Sequence, residues 1–454
     1  MSIAWNTYEH LKRPCVQYGH SPHALQYEEC SESSVTYETS RTYSNVVTLT
    51  GLAPATTYYY KIVSTNSSIG EFFSPRPAGD KTPFAVSVVI DLGVYGPDGY
   101  DIPTSNSKRD SIQTIEPVQP ELEKTTVGRL ADNFDNYELV VHPGDFAYAD
   151  NWMSVPLNAS EEVAAYESIL EQFYEQLAPI SSHKPYMVGP GNHDADCDEG
   201  DYEICPMGQT NFTDFIVRFG RTMPSTFPSK SSHLNARINA EKAKSLAKAP
   251  FWYSFEYGMV HFVMINTETD FANSPDGPGT SINAGPFGFP NQQLEFLKAD
   301  LASVDRTVTP WVIVAGHRPW YSTGGNGLPA SQEAFETILY TYGVDLALFG
   351  HVHNSQRFMP VYNNTADPNG MQDPKAPMYI VAGGSGNIEG LASIGTNVSF
   401  NAFAYADDYS YATLNFLNHE NLKVEFIRSS TGEVLDSSVL YKSHKEQFVV
   451  QEAH

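Results

Sequence analysis

The chain has 454 residues, and its 53 acidic and 27 basic side chains give a formal net charge of -26 at pH 7. A surface this acidic excludes nucleic acid and anionic membranes as expected partners, because both are themselves negatively charged. A chain of this length exceeds the size at which one hydrophobic core stops growing, so two domains are expected. No apolar stretch approaches the roughly 20 residues that span a bilayer, which predicts a soluble protein.

The first 82 residues are predicted to form a small β-sandwich. Short alternating runs rich in Thr, Tyr and Val, such as 46–49 and 58–63, are typical of strands. Between them, the segment 52–58 resembles the corner of a fibronectin type III sandwich, which implies that the Tyr58 hydroxyl reaches back to the upstream backbone. We therefore expect a fibronectin type III-like domain over 1–82 that lacks its first strand, and a second domain over 83–454.

The four cysteines form two pairs that are close in sequence, Cys15 with Cys30 and Cys197 with Cys205. Such local pairs favour two disulfides and therefore an oxidising compartment. A zinc site at Cys197 and Cys205 is the alternative, but metal-binding thiolates usually come in fours or with spaced histidines.

Glycosylation sequons support the same compartment when they are taken together with the cysteines. They lie in turn-like stretches at Asn66, Asn158, Asn211, Asn363 and Asn397. The first five residues alternate like a strand and have no leader pattern, so the predicted secretion depends on a signal peptide that this chain does not contain. We expect a secreted, extracellular glycoprotein.

Beyond residue 83, short apolar runs rich in β-branched residues alternate with helical patterns, which predicts buried parallel strands in an α/β domain. Helical periodicity occurs at 160–177, 291–304 and 331–342, and 413–417 with 422–427 predicts a β-hairpin. Residues 222–250 and 268–289 lack strong periodicity. We interpret them as long insertions, which commonly surround the site of such folds.

Polar side chains follow five of these apolar runs at the point where each run ends. They are Asp91 after 84–90, Asp145 and Tyr148 after 139–141, Asn192 and His193 after 185–188, His317 after 311–315, and His351 and His353 after 344–349. Because ligands gather at the carboxyl ends of the strands in such sheets, these side chains predict one polar pocket. Carboxylates, an amide, a phenol and imidazoles suit two neighbouring metal ions.

Taken together and in this order, the motifs resemble those of the metallophosphatase superfamily. Tyr148, three residues after Asp145, narrows the resemblance, because Gly-Asp-x-x-Tyr is typical of purple acid phosphatases. The serine/threonine protein phosphatases carry an Asp-Arg pair in that stretch, and this chain does not. The resemblance covers nearly the whole chain and implies a four-layer α/β/β/α metallophosphatase sandwich for the second domain.

The resemblance also implies a dinuclear metal centre. In it, Asp91, Tyr148 and His353 would bind Fe(III), Asn192, His317 and His351 would bind a divalent ion, and Asp145 would bridge the two. Fe(III) is hard and prefers anionic oxygen, whereas a neutral amide and imidazoles suit Zn(II), Fe(II) or Mn(II). The implied function is a secreted acid phosphatase that hydrolyses small-molecule phosphate monoesters, phytate among them, with a metal-activated hydroxide.

His193 is placed to hydrogen-bond the phosphoryl group and to protonate the leaving oxygen, or else only to orient its neighbour Asn192. Plant members of the family carry two adjacent histidines a few residues beyond the position of His317, and Asn326 and Gly327 stand there in this chain. The resemblance therefore implies no proton donor at the positions of Asn326 and Gly327. Asn326 and His233 are expected to be the weaker substrate contacts.

Two other functions remain open. A nucleotidase or phosphodiesterase of the same superfamily could use the same ions, although Tyr148 disfavours it. A non-enzymatic adhesion module built on the front domain would be expected to lose metal ligands, and all seven are present. The oligomeric state is left open.

Overall fold

The computed structural model describes residues 1–32, 34–94, 100–103, 112–115, 125–151, 159–195, 205, 207–224, 231–324 and 327–445. Its strands are β1 Ser2–Thr7, β2 Cys15–Gly19, β3 Tyr27–Cys30, β4 Tyr43–Thr48, β5 Thr57–Ile62, β6 Gly70–Phe73, β7 Phe84–Val88, β8 Leu92–Gly93, β9 Tyr100–Pro103, β10 Ile112–Ile115, β11 Leu139–Pro143, β12 Phe146–Ala147, β13 Tyr186–Gly189, β14 Tyr253–Tyr257, β15 Val260–Met264, β16 Trp311–Ala315, β17 Leu346–Phe349, β18 Ser355–Phe358, β19 Val361–Tyr362, β20 Thr365–Ala366, β21 Met378–Ala382, β22 Asn401–Tyr405, β23 Ser410–Phe416, β24 Asn421–Arg428 and β25 Val434–Tyr441. Its helices are α1 Thr126–Asp132, α2 Ala159–Ser181, α3 Thr213–Phe219, α4 Leu234–Leu246, α5 Gln292–Ser303, α6 Pro329–Ser331, the π-helical segment Gln332–Glu336 and α7 Thr337–Thr341. Short 3-10 segments lie at Val63–Thr65, Phe134–Asn136, Asn192–Asp194 and Thr210–Phe212.

The amino-terminal strands β1 to β6 form a small β unit with a core of its own. β3, β2, β5 and β6 make a four-stranded sheet in that order, and β1 pairs with β4. Val16, Val47 and Phe72 bury their side chains in one cluster. The Tyr58 hydroxyl accepts a hydrogen bond from the Ala53 backbone nitrogen at 2.9 Å. This contact confirms the predicted tyrosine corner.

The first disulfide prediction is confirmed. Cys15 and Cys30 lie directly opposite each other on β2 and β3 and are bonded. Cys205 is also disulfide-bonded, whereas its expected partner Cys197 lies outside the described residues. Because a bonded sulfur is not a free thiolate, Cys205 is not available for the alternative zinc site.

Two large mixed sheets form the α/β body, which comprises β7 to β25 and the helices. The first sheet has the order β13-β11-β7-β23-β24-β25, and the second has the order β14-β15-β16-β17-β21-β18-β22. β7, β11 and β13 run parallel, as do β15, β16, β17 and β21. One hydrophobic core contains Val86 of the first sheet and Ile313 of the second. The predicted fold, an all-β front unit followed by an α/β body, is confirmed.

The expected insertion at 222–250 contains a helix that its periodicity did not reveal. α4 packs against α5 and buries Ala236, Ala240, Ala243 and Leu246. A buried face made mostly of alanine has little hydrophobic contrast with the exposed face, so the periodic pattern was weak. Residues 268–289, in contrast, contain no helix or strand, as expected of an insertion.

The β unit and the α/β body meet at a buried polar set, the interdomain cluster of Tyr37, Glu167, Asp214 and Arg218. The Tyr37 hydroxyl lies 2.8 Å from Glu167 Oε2 and 3.1 Å from Asp214 Oδ1. Arg218 Nε donates to Asp214 Oδ1 at 3.0 Å, and its Nη2 donates to Thr42 Oγ1 at 2.8 Å. These contacts join the loop before β4 to α2 and α3. Among the described helices, none is long and apolar enough to cross a bilayer.

Candidate metal centre

The structure brings all seven predicted metal ligands to one edge of the α/β body. They follow the carboxyl ends of β7, β11, β13, β16 and β17, which lie in two sheets that share one core. Six of the seven are buried and one, His351, is partly buried; the ligands are Asp91, Asp145, Tyr148, Asn192, His317, His351 and His353. The chain thus places carboxylates, imidazoles, an amide and a phenol in one largely buried cluster.

One group of potential ligands consists of Asp91, Asp145 and His353, whose ligand atoms lie within 4.8 Å of one another. The Tyr148 hydroxyl joins this group, at 3.1 Å from Asp91 Oδ1 and from Asp145 Oδ2. It also lies 2.8 Å from His353 Nε2. A phenol has one hydrogen to donate, so it satisfies only one of these three acceptors.

A second group consists of Asp145, His317 and His351, again within 4.8 Å of one another. His317 Nε2 lies 3.0 Å from Asp145 Oδ2 and 3.1 Å from the Asn192 side-chain oxygen. Asp145 is therefore common to both groups. This sharing is the arrangement expected of a carboxylate between two cations.

Several of these residues have a strained backbone. Asp91, Asp145, Tyr148 and His351 all have left-handed φ values, of 59°, 56°, 54° and 63°. Non-glycine residues rarely adopt this conformation, and such strain concentrates at functional sites.

Glycines next to the ligands allow the loops to approach closely. A Cβ on Gly191 would lie 2.2 Å from Asp145 Oδ1, and a Cβ on Gly350 would lie 2.4 Å from Asp91 Oδ2. Both distances are too short for any side chain. Gly191, directly before Asn192, and Gly350, directly before His351, are therefore required by packing around the carboxylates.

The electrostatics of the cluster fit metal ions. In the described part of the chain, neither Asp91 nor Asp145 forms an ion pair with lysine or arginine. Burial raises the pKa of Asp91 well above its usual range, and the Asp145 charge adds to this effect. Burial also lowers the pKa of His353 to about 4, which favours the neutral imidazole that binds metals. The two buried acids have only histidines as basic partners, and metal ions bound there would supply further compensating charge.

Three further residues surround the cluster, and sequence reasoning did not identify them. Asp150 Oδ2 lies 2.7 Å from His193 Nδ1, and Glu389 Oε1 lies 3.5 Å from His193 Nε2. Arg318 Nη1 lies 3.0 Å from His351 Nε2. Asp150 and Arg318 could have been suspected, since they lie two positions after Tyr148 and one after His317, whereas the contact of Glu389 depends on the tertiary fold.

His193 is buried beside the cluster, and its backbone nitrogen donates to Asp145 Oδ1 at 2.9 Å. Burial lowers the pKa of its imidazole, but the charges of Asp150 and Asp145 have the larger combined effect and hold that pKa well above its usual value. The ring is therefore fixed on one side by Asp150, while its other nitrogen faces Glu389.

The weaker predictions have mixed outcomes. His233 directly precedes α4, and its backbone nitrogen donates to Ser231, whose hydroxyl donates to Asp305. Asp305 precedes β16, whereas His317 follows the opposite end of that strand. The prediction that His233 contacts substrate is therefore not supported, because neighbours of the site in sequence need not lie near it in space. Asn326 lies outside the described residues.

The sequons that the structure describes are on the surface. Asn66, Asn211, Asn363 and Asn397 are exposed, and the first three have left-handed φ values typical of turns. Asn158 lies outside the described residues. The exposed positions are compatible with glycosylation.

Three family models match successive parts of the chain. "Purple acid Phosphatase, N-terminal domain" matches residues 1–76, "Calcineurin-like phosphoesterase" matches 119–355, and "Iron/zinc purple acid phosphatase-like protein C" matches 376–437. Acid phosphatase A from Cryphonectria parasitica is 61% identical over 99% of this chain and 91% of its own length.

Two more distant relatives are also phosphatases by name. An acid phosphatase from Aspergillus ficuum is 29% identical over 94% of this chain and 82% of its own length. The structure of a purple acid phosphatase from yellow lupin (Lupinus luteus) seeds covers 97% of this chain and 72% of its own, with a TM-score of 0.67 at 22% identity. That structural similarity shows that the two chains share a fold. The clustered ligands, the three matching family models and the 61% identical relative together show that the chain belongs to the purple acid phosphatase family.

Proposed function

We propose that the protein is an acid phosphatase that hydrolyses phosphate monoesters at a dinuclear metal centre. The observation that carries this proposal is the pair of ligand groups that share Asp145. The 61% identical acid phosphatase from Cryphonectria parasitica supports the reaction class. We divide the chain accordingly into a front domain over 1–82 and a catalytic domain over 83–454.

The ligand chemistry supports a mixed-metal centre. Asp91, Tyr148 and His353 would hold Fe(III), because a phenolate and a carboxylate are hard anionic ligands. Asn192, His317 and His351 would hold Zn(II), Fe(II) or Mn(II), and Asp145 would bridge. Two ions there would supply Lewis-acid stabilisation of the phosphoryl oxygens and an activated water for in-line attack.

The protein residues orient the substrate and supply a proton. Asp150 holds Nδ1 of His193 at 2.7 Å, and Nε2 faces Glu389 at 3.5 Å. A hydrogen on Nε2 is then available to the phosphoryl group or to the leaving oxygen. The bond between phosphorus and that oxygen breaks, and the alcohol leaves with the proton.

The role of His193 is tested with two leaving groups. We expect His193→Ala to lose far more activity on glycerol phosphate than on p-nitrophenyl phosphate, because an alkoxide needs a proton and a nitrophenolate does not. General acid catalysis is worth about 10²- to 10⁴-fold. Equal losses on both substrates, with metal content unchanged, would instead make His193 a phosphoryl-positioning residue.

The proposed function is tested by metal analysis together with substrate turnover. We expect about two metals per chain, one of them iron, and hydrolysis of p-nitrophenyl phosphate well above that of bis(p-nitrophenyl) phosphate at acid pH. A preference for the diester would favour a phosphodiesterase, and full metal content without hydrolysis of either ester would contradict the proposal. Secretion is supported by the Cys15–Cys30 disulfide and is tested by recovering the glycosylated protein from culture medium.

A further inference from the structure

Glu389 is held in a fixed position beside the metal centre. It follows β21 in a glycine-rich loop, and its backbone nitrogen donates to the Asn387 side chain at 2.9 Å. Asn387 in turn donates to the Asp91 carbonyl at 3.1 Å. On the other side, the Asn151 amide donates to Glu389 Oε1 at 2.7 Å. The carboxylate is thus positioned by the same loop that supports a predicted metal ligand.

The Glu389 carboxylate lies between the imidazoles of His193 and His353. Its Oε1 lies 3.5 Å from His193 Nε2, the nitrogen proposed to protonate the departing oxygen. Its Oε2 lies 3.6 Å from His353 Nδ1. The side chain is 27% exposed, whereas that of Asp150, on the far side of His193, has no exposed surface. Of these two carboxylates, only that of Glu389 is open to a bound substrate.

We propose that Glu389 selects the alcohol part of the substrate by its charge. This inference rests on the proposed phosphatase function and specifies its substrate class. Esters whose alcohol carries an ammonium or hydroxyl group near the ester oxygen are favoured, because Glu389 can accept a hydrogen bond or form an ion pair. Esters whose alcohol carries further anionic groups are disfavoured, and phytate is the extreme case.

The size of the effect follows from the partial exposure of Glu389. A fixed carboxylate a few ångström from a charged ligand attracts a cation and repels an anion, but water and salt screen much of the interaction. Exposed ion pairs are correspondingly weak. For two ligands of opposite charge and equal size, the attraction and the repulsion add, so about a tenfold difference in affinity is expected.

Two phosphonates of matched size test this inference on the metal-loaded full chain. 2-Aminoethylphosphonate carries an ammonium group where 2-carboxyethylphosphonate carries a carboxylate, and neither is hydrolysed. Their dissociation constants are measured by titration calorimetry, with inorganic phosphate as the competitor. We expect the parent to bind the ammonium compound about tenfold more tightly and Glu389→Gln to lose most of that preference.

Glu433→Gln is the matched control, because it removes the same charge from a side chain on the surface that is 57% exposed and lies beside Arg428. It should keep the parent's ratio of affinities. Metal content is measured in all three proteins. Equal affinities in the parent, or an unchanged ratio in Glu389→Gln, would overturn the inference. Metal loss in Glu389→Gln would overturn it as well, because the carboxylate would then act by holding His353.

A kinetic comparison extends the test to substrates. Relative to p-nitrophenyl phosphate, Glu389→Gln should gain kcat/KM on phytate and lose it on phosphoethanolamine, each by about threefold or more. If kcat/KM changed in the same direction on both substrates, the proposed selection by charge would be contradicted. A parent that binds both metals and the phosphonates but hydrolyses no monoester would reject the proposed function alone, since the binding preference is measured without turnover.

Discussion

Two tyrosines of this molecule each lie between two buried carboxylates, yet their surroundings differ. At the metal centre, Tyr148 lies 3.1 Å from Asp91 and from Asp145. At the interdomain cluster, Tyr37 lies 2.8 Å from Glu167 and 3.1 Å from Asp214. Only the interdomain cluster contains an arginine that is paired with one of its acids.

The difference shows how each region meets the cost of burying charge. Arg218 neutralises Asp214 in the interdomain cluster. The remaining acid, Glu167, has its pKa raised to about 8 by burial and by the charge of Asp214. It can therefore remain protonated and donate to the phenol while the phenol donates to Asp214. That network is complete with protein groups alone, whereas the metal centre depends on cations from solution.

The largest expected effect comes from removing the bridging charge of the metal centre. Asp145→Asn should lower the affinity for both metals together, because Asp145 belongs to both ligand groups. We expect a loss greater than about 10²-fold, since even outer partners of metal ligands are worth 10- to 100-fold. Elemental analysis measures the two metals separately.

The control for that prediction is Asn192→Ala, which should chiefly lower the divalent ion because Asn192 lies 3.1 Å from His317. Loss of iron alone in both variants would refute the bridging role.

The next effect concerns Arg218, the arginine that neutralises a buried acid in the interdomain cluster. Arg218→Met should lower the free energy of unfolding by about 3–5 kcal/mol, the usual cost of leaving one partner of a buried ion pair unpaired. Arg221→Met is the control, because Arg221 is exposed and donates to a single backbone carbonyl, that of Ser44, at 3.1 Å.

Denaturant unfolding measures both variants. A loss below about 1 kcal/mol for Arg218→Met would show that the cluster is compensated by other groups and that the contrast with the metal centre is wrong. Metal content should remain at the parent's value in both arginine variants, since neither side chain belongs to the ligand groups.

The third effect is a dependence of stability on pH. The folded pKa of Glu167 is about 8 against an ordinary value of 4.5, so the folded state holds this proton more tightly than the unfolded state. The resulting stabilisation is complete below pH 4.5 and is lost as the pH rises through 8. Within that window each pH unit costs up to about 1.4 kcal/mol.

Glu167→Gln cannot ionise, so its stability relative to the parent should increase as the pH rises across this window. Groups facing Glu167 are Tyr37 and Thr39 from the β unit, and Asp214 and Arg218 from α3. Metal-free protein is compared by denaturant unfolding at several pH values. A constant difference between variant and parent would contradict the raised pKa.

The sequence predicted the clustering of the seven candidate ligands much better than it predicted the residues around them. Asp91, Asn192 and His317 were identified because each follows an apolar run, and parallel strands bring their carboxyl ends to one edge. Glu389 lies in a glycine-rich loop whose position depends on the tertiary fold. Its contact with His193 joins two distant parts of the chain, and no local periodicity encodes such a pair.

The interdomain cluster escaped the sequence analysis for the same reason. Tyr37 and Glu167 are 130 residues apart in sequence, and each alone is typical of an exposed polar position. The helix α4 was missed because its buried face is mostly alanine. The structure places His233, an expected substrate contact, near Asp305 before β16, whereas His317 follows the other end of that strand. Short-range patterns predict elements and strand ends, whereas pairing between domains requires the structure.

The smallest effect compares the two tyrosines directly. Burial and the charges of Asp214 and Glu167 raise the pKa of Tyr37 well above its usual value, so this phenol stays neutral. Tyr37→Phe should lower the free energy of unfolding by about 1–3 kcal/mol, the cost of unsatisfied buried partners. It should leave visible absorption unchanged. Tyr148→Phe should instead abolish the colour expected of a phenolate on Fe(III), which a visible spectrum detects at equal iron content. A coloured Tyr148→Phe protein would show that the two tyrosines are equivalent, neutral hydrogen-bonding groups.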